Sequence, residues 1–361
     1  MNQEPANGNT EIGGGNAGFG GGGPAPETTA NIFGDAPNQP PATPKKDKKG
    51  LIILIVGLFV ILSVTAVACW FILKPTDDNI TTTQTETVSG DPIFTKDDYP
   101  RVDASTATQP LAVAYYNNFT GEKSIIADFD FTKTHEAYVR LINGEADLIL
   151  VTQPSADEQN LAKEKGVELQ VTPVTNEGFV FFVSSANPVD NLTTDQVQKI
   201  YTGEITNWKE VGGNDQAILA YQRPENSGSQ TGMLELVMKG KKMAPPLTES
   251  LRVSSMEAII DAVSSYETSN SDAGIGYSYY YYATTIYQNI DKNTADGVKL
   301  LAIDGVKPEP STIKSKTYPF QTSYFIVTTD QTSENTQKLK EAMLSKRGQQ
   351  VAEEAKYVPA N

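Results

Sequence analysis

The chain has 361 residues, of which 39% are hydrophobic, with a formal net charge of −15, one cysteine and one histidine. It supplies no basic face, which argues against nucleic-acid binding, and it has too few cysteines and histidines for a disulfide framework or a zinc site. An anionic ligand would have to be held by local dipoles, because surface charges are screened beyond about 8 Å at physiological salt.

The first 73 residues lack the pattern of a globular domain. Residues 1–50 are rich in Gly, Pro and Asn, so they cannot bury enough surface to offset the entropy of ordering, and we expect a disordered tail. Residues 51–73 are 23 consecutive residues without a charge. At about 1.5 Å per residue a helix of this length spans roughly 34 Å, which is enough to cross a hydrocarbon core of about 30 Å. We therefore predict one transmembrane helix at 51–73.

The residues that flank this apolar run predict its orientation. Four lysines between positions 45 and 49 precede it, whereas Asp77 and Asp78 follow it. This asymmetry places the tail in the cytoplasm and residues 75–361 outside the cell. The alternative is a cleaved signal peptide, since TAVAC at Cys69 resembles a lipoprotein cleavage site. We favour an uncleaved, single-pass anchor in the cell membrane, because the charged region starts far from the first residue and the apolar run continues to Leu73.

The outer part of the chain has the pattern of a linker followed by a folded domain. Residues 74–95 are polar, and from 96 to 361 apolar runs such as GFVFFVSS and YFIVTT alternate with stretches of helical spacing such as SMEAIIDAVSSY. This alternation predicts an α/β fold with helices covering the sheets. About 265 residues exceed the usual size of a single core. We therefore predict two lobes, the first at about 96–183 and 277–361 and the second at about 184–276.

Three predicted strand-to-helix junctions carry small hydroxyl residues. In open α/β sheets, ligands bind beyond the carboxyl ends of strands and against helix N-termini, so these junctions form the candidate site. They are DASTATQP, then VTQPS after a strand at 148–151, then RPENSGS before an apolar helix. The candidate ligand-binding residues are Ser105, Thr106 and Ala107 in the first junction, Thr152 and Gln153 in the second, and Arg223, Ser227, Gly228 and Ser229 in the third.

The third junction has the clearest chemistry for an oxyanion. Where a helix begins, the first backbone N–H groups have no partner within the helix, and the aligned peptide dipoles leave partial positive charge. Arg223 adds a full charge beside this helix start. When the first or the third junction is considered alone, an alternative stays open, in which Ser229 and the hydroxyls near Ser105 serve only as helix caps. We favour an anion site because three such junctions coincide.

These junctions, together with LTTDQVQKIYTGEITNWKEVGG and GIGYSYYYY, resemble the phosphate-binding components of bacterial ABC transporters, in the type 2 periplasmic-binding-protein superfamily. The resemblance covers about residues 96–358, and its strongest parts are the IYTGEITNWKEVGG block and the Arg-x-acid-x-Ser-Gly-Ser loop. It implies two α/β lobes joined by a hinge, closure on the ligand, and delivery of the ligand to a membrane permease. It implies neither an enzyme nor a cofactor.

The resemblance also implies a role for each candidate residue. Ligand oxygens would be bound by the hydroxyl and N–H groups of Ser105, Thr106, Thr152, Ser227, Gly228 and Ser229, while Arg223 would pair with the anion and Glu225 would hold the guanidinium in place. Two positions depart from the family, since Ala104 stands at a common glycine and Gln153 at a frequent aspartate. An aspartate accepts the proton of hydrogen phosphate and repels sulfate, whereas glutamine does not repel it. The resemblance therefore predicts phosphate or a related oxyanion as the ligand.

Two other classes of function compete with transport. A serine hydrolase would need a histidine base, but the only histidine is His135 and no Gly-x-Ser-x-Gly motif occurs. We therefore predict that the chain is not an enzyme and that His135 is a surface or capping residue. An extracellular sensing or scavenging module stays open as the alternative, because a 50-residue cytoplasmic tail exceeds what anchoring a transport receptor requires.

Overall fold

The computed structural model describes residues 90–264, 273–287 and 297–360. The predicted tail, the predicted membrane span at 51–73 and most of the predicted linker lie outside these ranges. Within the described ranges, no helix is both long enough and apolar enough to cross a bilayer. The part of the chain from Thr82 to Asn361 forms one compact unit, and the following description concerns that unit.

A mixed sheet forms the centre of this unit. Its order is β1-β2-β9-β3-β6-β5, with β10 and β7 also paired to β3, while β4 and β8 form a separate two-stranded sheet. The strands are β1 (Val102–Ala104), β2 (Leu148–Val151), β3 (Leu169–Ser184), β4 (Asn191–Leu192), β5 (Leu219–Ala220), β6 (Gly274–Tyr279), β7 (Val298–Leu300), β8 (Ala302–Ile303), β9 (Gln321–Thr329) and β10 (Val358–Pro359). The parallel pairs are β1 with β2, β5 with β6 and β4 with β8. Helices between these strands confirm the predicted α/β class.

The 16-residue strand β3 is shared by two halves of the sheet. Its first part, Leu169 to Gly178, pairs antiparallel with β9, and its second part, Phe179 to Val183, pairs antiparallel with β6. A register shift between Pro173 and Thr175 bends the strand in its first part. The chain therefore changes sheet partner near Gly178. This arrangement is compatible with two lobes, whose boundaries stay a prediction.

Helices alternate with the strands along the described part of the chain, and several of them begin at the same cavity. They are α1 (Gln109–Thr120), α2 (Thr134–Ile142), α3 (Ala156–Lys165), α4 (Thr194–Thr202), α5 (Gly228–Gly232), α6 (Met256–Ser264), α7 (Pro310–Lys314), α8 (Glu334–Leu344) and α9 (Lys346–Glu354). Helix α5 continues directly into a π-helical turn, Met233–Met238. The helix starts follow the sequence signals for capping, since Ser155, Thr193 and Ser345 each accept a hydrogen bond from a backbone N–H in the first turn.

Aromatic side chains fill the core where the two halves of the sheet meet. Phe179 and Phe181 on β3 lie within 6.2 Å, centroid to centroid, of Tyr277 on β6, and Phe179 also packs edge-on against Tyr279. All four side chains are almost completely buried. Strands covered on both faces carry continuous apolar runs instead of alternating ones. This explains why GFVFFVSS and the tyrosine-rich GIGYSY are strands and not surface segments.

Candidate functional site

The three predicted junctions meet at one cavity of about 400 Å³. The carboxyl ends of β1, β2 and β5 all lead into its walls, as expected for an open α/β sheet. Nine of the ten residues singled out in the sequence line it, namely Ser105, Thr106, Ala107, Thr152, Arg223, Glu225, Ser227, Gly228 and Ser229. The exception is Gln153.

Further residues of the cavity wall were missed in the sequence. They lie at the starts of α2 and α6, at the end of β6 and in the π-helical turn that follows β6, and are Lys133, Thr134, His135, Glu136, Ser254, Ser255, Met256, Glu257, Tyr279 and Tyr282. The Ser-Ser pair before the apolar pattern of α6 is a recognisable helix start. Nothing in the linear sequence showed that this start faces the same cavity as the first three junctions.

Four helix starts converge on this cavity. They are the N-termini of α1, α2, α5 and α6, each represented by at least three lining residues in or just before its first turn. Ser227 and Ser255 each accept a hydrogen bond from a backbone N–H in the first turn of their helices, whereas α1 and α2 begin without a side-chain cap. Free N–H groups and the helix dipole make each N-terminus favourable for negative charge. The cavity is thus positively polarised in a strongly acidic protein.

Arg223 contributes a buried positive charge to the cavity. Its side chain is 6% exposed, with Nε donating to Ser229 Oγ at 3.3 Å and Nη1 donating to the Val253 carbonyl at 2.9 Å. It forms no ion pair with a carboxylate among the described residues. Burial lowers the pKa of Arg223 to about 10, which leaves it charged at neutral pH. A buried charge without a counter-charge is costly, so this site favours an anion.

Glu225 does not hold the Arg223 guanidinium in place, contrary to the role that the resemblance implied. The Ser227 N–H donates to the Pro224 carbonyl at 3.3 Å, and Asn226 adopts a left-handed φ of 61°, so the chain makes a turn here. Glu225 stands on this turn and is exposed, and the ion pairs of the described residues include none between Glu225 and Arg223. The turn directs the carboxylate to the rim of the cavity, and two neutral oxygens contact the guanidinium instead.

Gln153 is not among the residues that line the cavity, so the structure does not bring it together with the other candidate residues. Its Oε1 accepts a hydrogen bond from Thr322 Oγ1 at 3.2 Å, on strand β9. Successive side chains alternate in direction along an extended chain, and Thr152 occupies the side that faces the cavity. The prediction assigned both neighbours to the site although only one of them can face it.

Because Gly228 has no side chain, the start of α5 can lie directly against Thr152 and Thr134, and these two contacting groups are the two sides of the cavity. A Cβ at this position would lie 2.6 Å from Thr152 Oγ1 and 2.7 Å from Thr134 Oγ1, which is closer than side chains approach. The Tyr279 hydroxyl donates to the Gly228 carbonyl at 2.8 Å. Near the mouth, Asn226 Nδ2 donates to Asp157 Oδ2 at 2.9 Å and connects the turn before α5 to α3.

Thr152 places an unused polar atom at the bottom of the cavity. Its side-chain hydroxyl is buried and makes no hydrogen bond of normal geometry. The Thr152 hydroxyl lies close enough to the Tyr279 hydroxyl to lower the pKa of Tyr279, against the larger rise that burial causes. Buried polar atoms without a partner are rare in proteins and call for a specific explanation. A ligand oxygen at this position would satisfy the hydroxyl.

His135 is engaged in a structural contact at the start of α2. Its Nδ1 lies 3.1 Å from Glu158 Oε1, and Glu158 also accepts from the Ser155 N–H at 2.6 Å. Burial raises the pKa of Glu158 above its ordinary value. Among the described residues, the hydroxyl of Ser229 bonds to Arg223, those of Ser227 and Ser255 bond to backbone N–H groups, and that of Ser105 pairs with Thr108 Oγ1, so none of these four bonds to His135. The arrangement lacks the nucleophile and base pair of a hydrolase.

Comparison with known proteins identifies the family. The profile of the PBP superfamily domain matches residues 82–346. The phosphate-binding protein PstS of Bacillus subtilis is 30% identical over 235 residues, which cover 62% of this chain and 68% of that protein. The PstS protein of Borreliella burgdorferi is 27% identical over 188 residues, covering 50% of this chain and 63% of that protein.

Solved structures show the same fold. A Clostridium perfringens protein assigned as a phosphate ABC transporter substrate-binding protein, with bound phosphate, superposes with a TM-score of 0.56 at 23% identity, covering 72% of this chain and 98% of its own. An ABC-type phosphate transport receptor from Vibrio cholerae gives 0.52 at 24% identity with the same coverage. These structures share the fold, while the profile match and the Bacillus subtilis relative show that the chain belongs to the PBP superfamily, in the family of PstS phosphate-binding proteins, and that it is a binding protein and not an enzyme.

Proposed function

We propose that this chain captures phosphate, or a related oxyanion, outside the cell and delivers it to the permease of an ABC transporter. The observation that carries this proposal is the buried Arg223, which has no carboxylate partner in the described residues and lies in a cavity where four helices begin. Such a cavity stabilises an anion without help from the net charge of −15. The names of the related proteins agree with this chemistry.

The ligand oxygens are assigned to the donors at the bottom of the cavity. Arg223 provides the charge, and the unpaired hydroxyl of Thr152 is satisfied by one oxygen. Ser105, which is 4% exposed, and Ser229, which is 2% exposed, line the same cavity. The N–H groups at Gly228 and Ser229 would complete the set, as at other helix N-termini that bind anions. Thr106, Ala107 and Ser227 also line the cavity and are proposed as further contacts.

The anion is expected to bind without strong discrimination between phosphate and sulfate. Three carboxylates line the cavity, those of Glu136, Glu225 and Glu257, and all three side chains are exposed at its rim. Gln153 is outside it. A carboxylate at the bottom would accept the proton of hydrogen phosphate and repel sulfate. Donors predominate there, so both anions should bind.

The membrane anchor and the topology are part of the proposal. They rest on the uncharged run at 51–73 and on the four lysines before it. An anchor of this kind would hold the receptor near its permease and raise the local concentration of each for the other. Cysteine labelling from either side of intact cells, at residues introduced into the tail and the linker, tests this topology.

The binding proposal is tested by calorimetric titration of ligand-free protein with phosphate and with sulfate at pH 6 and pH 8. We expect both anions to bind with affinities within about tenfold of each other. Heat from neither anion would contradict the oxyanion site.

The second candidate is a sensing or scavenging module that uses the same cavity. It is favoured by the predicted 50-residue cytoplasmic tail. Phosphate uptake in cells that carry the full chain, a chain without residues 1–50, or no chain separates the two. Transport predicts that uptake survives loss of the tail, whereas sensing predicts that uptake never depended on the chain.

A further inference from the structure

A buried carboxyl group lies where strand β3 changes its sheet partner. Glu177 is 3% exposed and belongs to the last residues of β3 that pair with β9, whereas pairing with β6 begins at Phe179. Its Oε1 accepts a hydrogen bond from the Gly178 N–H at 2.9 Å and another from the Tyr281 N–H at 3.3 Å, just beyond the end of β6. The carboxyl group therefore joins β3 to the segment after β6 at the point where the two halves of the sheet meet.

Four buried tyrosines form a continuous cluster beside this carboxyl group. Tyr324 on β9 shares a face of the sheet with Glu177, because the strand partner of Tyr324 stands two residues before Glu177. The Tyr324 ring lies 5.7 Å from that of Tyr279 and 5.9 Å from that of Tyr357, centroid to centroid. Tyr357 in turn stacks on Tyr281 at 3.6 Å. Glu177 is therefore packed among aromatic side chains and is shielded from water.

The tyrosine cluster is hydrogen-bonded to both sides of the anion cavity. The Tyr357 hydroxyl donates to the Ala107 carbonyl at 2.8 Å in the first junction, and the Tyr279 hydroxyl donates to the Gly228 carbonyl at 2.8 Å in the third. The first junction follows β1, which pairs with β2, and β2 leads to Thr152 on the side opposite Gly228. A movement that separates the two sides would therefore divide the tyrosine cluster next to Glu177.

A negative charge at Glu177 has no counter-charge among the described residues. Glu177 forms no ion pair there, and its charge acts on tyrosines of β6, β9, the segment after β6 and the segment before β10, namely Tyr279, Tyr280, Tyr281, Tyr324 and Tyr357. Burial raises the pKa of each tyrosine, so all five are neutral near pH 7. Glu309, which also acts on Tyr280, is exposed. Burial raises the pKa of Glu177 to about 7, so the arrangement in which the two sides touch favours its protonated form.

We propose that Glu177 is a positioning residue that couples closure of the cavity to the uptake of a proton, so that the anion binds more tightly at low pH. This inference rests on the proposed oxyanion function of the cavity. When the two sides separate, water reaches the carboxyl group and lowers its pKa towards the ordinary 4.5. The contribution to affinity is therefore fully present below pH 4.5 and is lost as the pH rises through about 7.

Calorimetric titration of the full chain in detergent, stripped of ligand, with sulfate and with inorganic phosphate at pH 5 and pH 8 tests this inference. Sulfate exchanges no proton in this range, so any pH dependence of its binding belongs to the protein. From pH 5 to pH 8 the sulfate affinity of the parent should fall by a factor at least fivefold larger than that of Glu177→Gln, which mimics the protonated form. Phosphate should show the same ratio, because its own titration is common to both proteins.

Two further variants assign the effect to the carboxyl group at this position. Glu158→Gln is the matched control, because Glu158 is also buried and burial raises its pKa, but its contacts are the Ser155 N–H and His135. It should keep the pH dependence of the parent. Glu177→Asp retains a titratable carboxyl group and should restore part of the pH dependence that Glu177→Gln loses.

The outcomes separate this inference from the proposed function. A purely structural role of Glu177 would change the affinity of Glu177→Gln by the same factor at pH 5 and pH 8, and that result would overturn the inference while leaving the oxyanion function standing. Binding of sulfate by the parent without proton uptake at pH 6, measured in buffers of different ionisation enthalpy, would overturn it even if Glu177→Gln did not fold. Folded protein that binds neither anion would overturn the proposed function and this inference with it.

Discussion

Replacing Gly228 by alanine should weaken ligand binding through a steric clash between the two sides of the cavity. The added Cβ would lie 2.6 Å from Thr152 Oγ1 and 2.7 Å from Thr134 Oγ1, and ordinary contact begins near 3.4 Å. Each hydroxyl would have to move by 0.7 to 0.8 Å, the difference between those distances. Both threonines are buried, so they cannot swing into solvent. Overpacking of this kind costs about 1–3 kcal/mol.

Most of this cost should appear in binding and not in folding. The clash exists only while the two sides of the cavity are together, and a receptor that opens around a hinge in the absence of ligand escapes it. The expected loss of phosphate affinity is therefore about 5- to 150-fold, since 1.4 kcal/mol corresponds to tenfold. The free energy of unfolding of the ligand-free protein should change by less than about 1 kcal/mol.

A double-mutant cycle measures the clash directly. Thr152→Ala removes the atom that the new Cβ would meet, but it also removes a proposed ligand contact, so each single variant should bind phosphate weakly. The double variant should bind more tightly than the sum of the two losses predicts, because the clash is relieved. Calorimetric titration of the four proteins gives the coupling. Affinity of Gly228→Ala within twofold of the parent would refute the reasoning.

Three further predictions follow from other contacts in the structure. Burial raises the pKa of Glu177 from 4.5 to about 7, so the folded state binds a proton that the unfolded state releases between these pH values. The free energy of unfolding should therefore fall by at most about 3 kcal/mol as the pH rises from 4.5 through about 7. Glu177→Gln should remove this fall, which is measured by comparing urea unfolding at pH 5 with urea unfolding at pH 8. Trp208→Phe loses the bond from the buried indole N–H to the Ala273 carbonyl at 2.8 Å and should destabilise by about 1–3 kcal/mol. Asn226→Ala removes the 2.9 Å hydrogen bond from Asn226 Nδ2 to Asp157 Oδ2 near the mouth of the cavity. In stopped-flow measurements it should raise the rate of phosphate release by a larger factor than it lowers the rate of binding.

The sequence predicted the junctions of the site because their chemistry is local. Hydroxyl residues before a helix, and an arginine next to a Ser-Gly-Ser start, are visible without any long-range information. Residues 105, 152, 223 and 228 are brought together in the structure as expected. The rule that ligands bind at the carboxyl ends of strands supplied the missing geometry.

The errors came from properties that only the fold determines. The direction of the Gln153 side chain depends on which side of the chain faces the cavity, and Thr152 has taken that side. The direction of Glu225 depends on the left-handed turn at Asn226. The contributions of α2 and α6 were missed because the sheet order that brings their N-termini to one cavity does not follow from local patterns.

The role of Arg223 as the anion's counter-charge is tested most directly by titrating phosphate into the ligand-free protein, into Arg223→Ala and into Arg252→Ala. Arg252 is an exposed arginine near the site whose side chain forms an ion pair with the exposed Glu249, so it controls for the loss of one positive charge. A hydrogen bond to a charged group is worth about 1.5–3 kcal/mol, so we predict a loss of about 10- to 150-fold for Arg223→Ala and less than threefold for Arg252→Ala. Equal losses in the two variants, or unchanged affinity in Arg223→Ala, would contradict the account.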